Sequence, residues 1–530
     1  MISQLKQPCD EAVVHSAPEC GVKNSAAGNW VLAATIIGSS MTFIDGTVIN
    51  VALPVLQAKL NASAAQMQWI VESYALTLSA LILVGGALGD KYGRRRIFNL
   101  GVVIFTLTSL WCGLVSDVNQ LIFARAAQGI GAALLVPGSL AIISATFDKK
   151  KRGRAIGTWS GFTAIAAGFG PVLGGWLVDN FSWRWIFYIN LPLAVVVLLI
   201  SFFRVPESKD DEATGKLDWL GALLAILALG GIVYGLIESN NLGFKNAQVY
   251  GSLMIGAAAF VAFLFAEMRR QNPMMPLDLF KSKTFSGANL LTLFLYAALS
   301  GILFFVPFNL IRVQGYDATQ AGAALVPFVL TMFLLSRPAS TLIDRFGAKL
   351  PLVVGPIIAG IGFALFSLAG AESTSYWRDF FPAIMVMSLG MVTSVAPLTT
   401  TVMGAVEERH AGIASGINNT VSRTGALLAI AAFGIVMLTA FNKNLDARLD
   451  DLPPPAQFEI KQQRYKLANI ELSAYYDDET RLTAKKIVNE SFVTGFRVVA
   501  YGAAMLAFLS ALSAWLLIEG KDIKKQPGKK

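Results

Sequence analysis

Charge is what this sequence has least of. Only 15% of its 530 residues are Asp, Glu, Lys or Arg, against about 25% in a soluble domain, a shortfall of roughly 50 charges. Histidine is nearly absent, His15 and His410 being the two in the chain. No His-based triad or metal cluster can therefore be assembled in a membrane pocket, and neither a metal nor a cofactor is expected. The three cysteines, Cys9, Cys20 and Cys112, are an odd number and form no CxxC pair, so no disulfide framework or zinc site is implied. A phosphate-binding loop is missing too. Lys216 follows Gly215, but Asp210 stands where the first glycine belongs and Leu217 replaces Ser/Thr, which excludes an internal ATPase.

Hydrophobic residues make up 55% of the chain and the mean hydropathy is +0.57. The charges bunch between apolar stretches long enough to cross a hydrocarbon core of ~30 Å as helix. Soluble enzyme, secreted scaffold and disordered protein are excluded. The net charge of +9 would suit nucleic acid, but the basic residues are spread over short loops, which topology explains better.

Hydropathy predicts an all-α polytopic membrane protein of fourteen spans. The first half holds 30–53, 69–89, 97–116, 120–143, 155–178 and 185–203. A central pair follows at 217–238 and 248–266. The second half holds 285–310, 319–338, 350–370, 380–403, 412–440 and 495–518. Residues 1–29 lack an apolar core, so they read as a cytoplasmic tail rather than a signal peptide, and 519–530 form a second tail. With the N-terminus inside, twenty-six Lys and Arg fall on the inner side, while the short outer loops hold five, Lys59, Arg184, Lys245, Arg312 and Arg378. That bias predicts both termini inside and an even number of spans. The long segment 441–493 then lies outside. Its charged and apolar positions between Gln457 and Ile487 alternate at helical spacing, predicting one or two amphipathic helices on the outer face, with a solvated spacer as the alternative.

One internal repeat stands out. Asp90-Lys-Tyr-Gly93-Arg94-Arg95 follows the second span, and Asp344-Arg345-Phe-Gly347 follows the tenth. Repeated halves with the substrate path between them are a common plan of secondary transporters. This divides the chain into a six-helix half over 30–203, an inserted two-helix region over 204–270 and a six-helix half over 271–518. Asp90 sits at a helix C-terminus, where the dipole disfavours an anion. It requires a partner, either Arg94 or the N-terminus of a helix from the other half, and such a pairing would latch one conformation. Positive-inside anchoring alone explains the arginines but not Asp90.

Ionisable groups in mid-span are costly and are functional candidates by default. The deepest are Asp45, Arg125 and Arg423, with Glu72 nearer the outer face. Burial disfavours the charged form of a carboxyl and a nearby cation favours it. A carboxyl whose surroundings change can thus take a proton on one side and release it on the other, and Asp45 and Glu72 are the candidates. A static pair, or a cap on a break at Gly46, is the alternative for Asp45. Arg125 keeps its charge. It can poise a carboxyl, bind an anion or hold backbone carbonyls, with Gln128 one turn along on the same side. In the fifth span Ala166, Gly170 and Gly174 make a small-residue face suited to close helix approach, and Pro171 can kink it. Asn418, Asn419, Thr420, Ser422 and Arg423 make the thirteenth span unusually polar. Aromatics and methionines, including Trp69, Tyr74, Phe162, Tyr296, Phe304, Phe305, Phe308 and Met332, are candidates to line an apolar cavity.

Several of these stretches resemble one family. Gly86-x-Leu88-x-Asp90-Lys91-x-Gly93-Arg94-Arg95 is similar to the loop signature of the major facilitator superfamily. Asp45-Gly-Thr47-Val-Ile-Asn50 with its flanks, Arg125-Ala-Ala-Gln128-Gly129, Gly170-Pro171-Val-Leu-Gly174-Gly175 and Trp183-Arg184-Trp185-Ile-Phe187-x-Ile-Asn190-x-Pro192 resemble its 14-span drug/proton antiporter branch. The likeness covers about 30–520. It implies the major facilitator fold, two pseudo-symmetric halves plus two inserted helices. It also implies a proton-coupled exporter of amphipathic small molecules, of multidrug efflux type, in a bacterial inner membrane. In that family the arginine matched by Arg125 assists proton coupling, and the fifth-span glycines favour antiport. The partners implied are the substrate, protons and the lipid bilayer; a monomer suffices. A carrier of the same fold with a narrower substrate, such as a metabolite, siderophore or lipid, is the alternative. Extra mid-span acids of the kind found in exporters of organic cations are missing from the second half, so anionic, zwitterionic or lipid-like substrates fit the charges as well.

Overall fold

A computed structural model describes residues 25–147, 149–209, 218–270, 275–371, 375–407 and 411–519. Six helices form the first half: α1 Gly28–Lys59, α2 Ala64–Tyr92, α3 Arg94–Leu114, α4 Val118–Thr146, α5 Lys151–Asn180 and α6 Trp185–Arg204. The pair α7 Trp219–Leu242 and α8 Ala247–Arg269 follows. The second half holds α9 Lys283–Val313, α10 Ala318–Ser336, α11 Lys349–Leu368, α12 Tyr376–Gly404 and α13 Ile413–Asp446. A short α14, Pro454–Gln463, precedes the last and longest helix, α15 Asp478–Leu517. All but α14 are long and apolar enough to cross a membrane, fourteen spans in all when α2, bent by 48° at Leu83, counts as one. Short polar caps start several of them. Ser63 and Gln66 form a reciprocal capping box at α2, and Asp117 accepts the N–H groups of Asn119 and Gln120 at α4, meeting donors that a helix start leaves unpaired.

The two halves repeat one packing scheme. Within each half the first helix packs on the fifth, the second on the fourth and the third on the sixth: α1 on α5, α2 on α4 and α3 on α6, then α9 on α13, α10 on α12 and α11 on α15. The repeated turns also match in backbone, Gly93 and Gly347 both having positive φ, 113° and 71°. The inserted pair does not separate the halves. Instead α7 packs against both α2 and α13, and α8 packs on α7, so the pair flanks one side of the seam.

The helices alternate in direction between a basic end, bearing the Asp90–Arg96 turn, and a distal end. The distal segment departs from expectation. The last helix begins at Asp478 rather than near 495, and α13 runs on to Asp446, leaving 447–477 as the connecting segment. Residues 478–494 are too charged to register as a span, yet they extend the helix beyond the apolar zone because Ala484, Ile487, Val488, Phe492 and Val493 are buried along one face. Of the expected amphipathic helices one is present, α14. It is docked through Ala456 and Ile460, which are buried, and in the 3-10 turn that follows it Leu467 is buried and Gln57 of α1 donates to the Lys466 carbonyl at 3.1 Å. Of the tails expected over 1–29 and 519–530, residues 1–24 and 520–530 lie outside the described residues, whereas 25–29 are helical, the first helix beginning at Ser25.

Candidate substrate cavity and buried ion pair

Both halves contribute to a central cavity of about 570 Å³. From the first half, α1 supplies Thr47 and Asn50, α2 Tyr74 and α5 Thr163. From the second, α9 supplies Tyr296, α10 Phe328 and Met332, α12 Thr399, and α13 Asn419, Ser422 and Arg423. The lining is thus mainly apolar and aromatic with scattered hydroxyls and amides, the composition of sites for amphipathic small molecules.

The ion pair lies behind the first-half wall. Asp45 on α1 is 3% exposed and Arg125 on α4 is fully buried, and Arg125 Nη1 donates to Asp45 Oδ2 at 2.5 Å. Charges taken out of water need further hydrogen bonds to hold them, and most are supplied, Arg125 Nη2 having no partner among the described residues. Gln128 Nε2 donates to Asp45 Oδ1 at 2.9 Å, Gln128 Oε1 accepts from Arg125 Nη1 at 2.7 Å, and Arg125 Nε reaches the Ile70 carbonyl at 3.2 Å. Asn190 on α6 approaches Asp45 Oδ1 at 3.5 Å and donates to Ser109 Oγ at 3.0 Å. The cluster therefore ties α1, α2, α4 and α6 together. Tyr74 connects the two: it is among the cavity's lining residues, and the Arg125 guanidinium sits 4.2 Å from its ring centroid, while Asp45 and Arg125 are not among those lining residues. Of the alternatives open for Arg125, the geometry selects a carboxyl and a backbone carbonyl together.

Glu72 is not part of this cluster. It is fully buried, and neither carboxyl oxygen has a hydrogen-bond partner among the described residues. One turn away on α2, Gln68 donates to the Ile430 carbonyl of α13 and Trp69 to Glu238 of α7. The residues one turn from Glu72 thus reach α13 and α7. The polar patch of α13 also divides. Asn419, Ser422 and Arg423 line the cavity, whereas Asn418 turns away to bond Asn289 and Thr292 of α9 at 3.1 and 2.7 Å. Tyr74, Tyr296 and Met332 line the cavity as expected. Trp69, Phe162, Phe304, Phe305 and Phe308 are not among its lining residues: the last three are buried in the second half and Phe162 is exposed.

The glycines of α5 seat the seam. A Cβ at Gly170 would meet Thr47 Oγ1 of α1 at 2.0 Å, and one at Gly174 would meet Val48 at 2.7 Å. A Cβ at Gly175 would come within 2.2 Å of the Ala318 carbonyl of α10, and Gly322 of α10 returns the contact against Pro171 at 2.2 Å. This is close approach between halves at the distal end, where Arg312 also donates to the Pro54 carbonyl and Asp179 meets the start of α10.

At the basic end Asp90 pairs with Arg94 at 2.8 Å, the first of the two partners its position required. Glu207, just beyond α6, accepts the backbone N–H groups of Arg95 and Arg96 at 2.9 and 3.2 Å, and Arg95 Nη1 donates to the Val205 carbonyl at 2.9 Å. In the second copy of the turn Arg345 is exposed, and the Asp344 side chain lies outside the described residues. Asn190, Asp179 and Glu207 had no role assigned from sequence. The signal for Asn190 was an uncharged amide in mid-span; the other two look like ordinary loop acids.

A polytopic helical protein whose two halves repeat one packing scheme around a shared cavity is a membrane carrier. The chain belongs to the Major Facilitator Superfamily, whose profile matches residues 35–430. It is 32% identical over 499 residues to the multidrug resistance protein Stp of Mycobacterium tuberculosis, covering 91% of each chain. It is 28% identical over 505 residues to the tetracenomycin C resistance and export protein of Streptomyces glaucescens, covering 94% and 93%. Among solved structures it resembles, with TM-score 0.66 and 17% identity over 94% of this chain and 99% of that one, a bacterial homologue of the lysosomal transporter Spinster.

Proposed function

We propose that the protein is a proton-coupled exporter of amphipathic small molecules, working by alternating access in a bacterial cell membrane with both termini cytoplasmic. The observation that carries the reading is the pairing of a cavity shared by both halves with a sealed Asp45–Arg125 pair one aromatic ring away. Protonation of Asp45 would remove the charge that holds Arg125, freeing α1 from α4 and α6 and coupling proton binding to helix movement. The Asp90–Arg94 turn, held by Glu207, would latch the basic end in one conformation, with Arg345 contributing to the second copy. The basic bias of the inner loops supports the orientation, and resistance and export relatives support the direction of transport.

The test is reconstitution with an enclosed pH dye, an imposed proton gradient and a panel of amphiphiles of different charge. Substrate-dependent proton movement in the wild type and its loss in Asp45→Asn are expected. Proton movement that persists in Asp45→Asn would remove Asp45 from the coupling site.

A further inference from the structure

One side chain belongs to both the cavity and the surroundings of the ion pair. Tyr74 of α2 is a lining residue of the cavity, and its ring centroid lies 4.2 Å from the Arg125 guanidinium. The second ring near that guanidinium, Phe187 at 6.0 Å, is buried and is not among the lining residues. Tyr74 is fixed at its backbone but not at its hydroxyl. Thr77, one turn along, donates to the Ala126 carbonyl of α4 at 2.9 Å, and a Cβ on Gly129 would meet the Tyr74 carbonyl at 2.4 Å, so α2 and α4 press together here. A buried phenol ordinarily finds a hydrogen-bond partner, yet the Tyr74 hydroxyl has none among the described residues. Packing and the neighbouring cation are what hold the ring.

The strength of that cation's claim depends on Asp45. An ionised Asp45 neutralises Arg125 directly. A protonated Asp45 leaves a buried cation held by Gln128 Oε1 and the Ile70 carbonyl, and such a cation is drawn to an aromatic face, more strongly in a desolvated site. The other groups facing Asp45 cannot take this part. Gln128 and Asn190 are uncharged amides, and Cys112 of α3 is a buried thiol. The α5 segment 155–178 has no titratable side chain, and the α9 segment 285–310 has Tyr296 alone, which lies in the cavity wall. Arg423 of α13, within electrostatic reach of Tyr74, keeps its charge throughout.

We propose that Tyr74 is the positioning residue that couples the cavity to the proton site. With Asp45 ionised, Arg125 is satisfied by the carboxylate and the ring packs against an amphiphile in the cavity. With Asp45 protonated, Arg125 draws the ring to itself and the cavity wall loses that contact. Substrate and proton then bind in opposition, each weakening the other by the same factor. The proposal rests on the reading of this cavity as the substrate site and of Asp45 as the proton site.

The test is equilibrium binding of an uncharged dansyl amide to the full chain in lipid nanodiscs, with no gradient, from alkaline to acidic pH. In the wild type the dye binds about 2- to 30-fold more weakly at acidic pH, the range that a cation–π contact spans. Asp45→Asn shows the weaker affinity at every pH. Tyr74→Leu, without an aromatic face, loses the pH dependence, and Tyr74→Phe restores it. Fluorinated phenylalanines installed at position 74 keep the shape of the ring while weakening its negative face, so the pH dependence shrinks with each added fluorine. A role in packing alone would leave it unchanged, and this series decides the matter if the leucine variant fails to fold. A pH dependence that survives Tyr74→Leu, or that ignores fluorination, overturns the proposal and leaves coupled export standing. A wild type whose affinity ignores pH also overturns it. The same preparations in proteoliposomes then show whether coupled export falls too, since substrate-dependent proton movement persists only if coupling runs through other residues. A wild type that binds no dye at any pH removes the cavity as the substrate site, and the proposal with it.

Discussion

Asp179, at the end of α5 in the first half, caps α10 in the second half through Thr319. Its Oδ2 accepts from the Thr319 backbone N–H at 2.7 Å and from the Thr319 hydroxyl at 2.6 Å, and its Oδ1 from the Ala318 N–H at 3.2 Å. The cap is unusual in coming from another domain, since Asp317 already caps α10 locally. A carboxylate at a helix start satisfies orphan N–H groups and meets the favourable end of the dipole. Here the favourable energy exists only when the halves touch at the distal end. Asp179→Ala is expected to cost that closed state about 0.5–2 kcal/mol, shifting the ratio of distal-closed to distal-open molecules about 2- to 30-fold. Distances between spin labels on the distal ends of α5 and α10, in a background lacking Cys9 and Cys20, check this. An unchanged distance distribution would mean that the glycine contacts and the Arg312–Pro54 bond hold the seam without it.

The ion pair makes a prediction about stability as well as coupling. Removing one partner of a buried pair leaves an uncompensated charge, at a cost of about 3–5 kcal/mol. Asp45→Asn and Arg125→Gln should each lower the melting temperature sharply. The double variant should recover much of the loss, because two neutral amides leave no buried charge, yet proton coupling stays lost. Thermal unfolding in detergent beside the proton-movement assay reads both. If the double variant is as unstable as the sum of the two singles, the pair contributes little and the hydrogen-bond network dominates.

The spans, the repeat and the Asp45–Arg125–Gln128 cluster were legible because apolar runs and mid-span charges carry strong local signals. Helical spacing put Arg125 and Gln128 on one face, where they meet the same carboxyl. Asp179 and Glu207 were not legible, since an acid at the end of a span looks like any loop residue until tertiary packing brings it to another helix's backbone. The start of α15 was hidden for a related reason. Hydropathy reports where a helix meets lipid, and residues 478–494 are helical outside that zone. Glu72 was legible as a costly residue but not as one apart from the Asp45 cluster, because spacing along α2 does not reveal that α7 and α13 pack on that helix.

Gly93 is where backbone and contact constraints coincide. Its φ of 113° suits glycine alone, and a Cβ would lie 2.9 Å from the Glu207 carboxyl that anchors the turn. Gly347, at φ 71°, has nothing within 4 Å of its Cβ position. Backbone strain of about 1–3 kcal/mol applies to Gly93→Ala and to Gly347→Ala, but only the first also displaces Glu207. Gly93→Ala should therefore lose more melting temperature and more transport than Gly347→Ala. Adding Glu207→Ala should not worsen Gly93→Ala much, because the displaced contact is already gone. Equal effects of the two alanines would show that the Glu207 anchor is dispensable.

Glu72 supplies the sharpest contrast with Asp45. Both are buried acids of the first half, but Asp45 has three side-chain partners whereas neither oxygen of Glu72 has one among the described residues. A buried carboxyl without partners burdens the fold in either protonation state. Three and four places along α2 from it, Trp69 and Leu76 join the apolar cluster of Ala65, Val233, Ile237 and Leu427, which links α2 to α7 and α13, and Glu72 is not among the cavity's lining residues. Glu72→Gln should accordingly leave substrate-dependent proton movement intact and leave the melting temperature equal or higher, in contrast to Asp45→Asn on both measures. Proton movement abolished by Glu72→Gln in a stably folded protein would make the seam with the inserted helices, rather than the Asp45 cluster, the place where protons are bound.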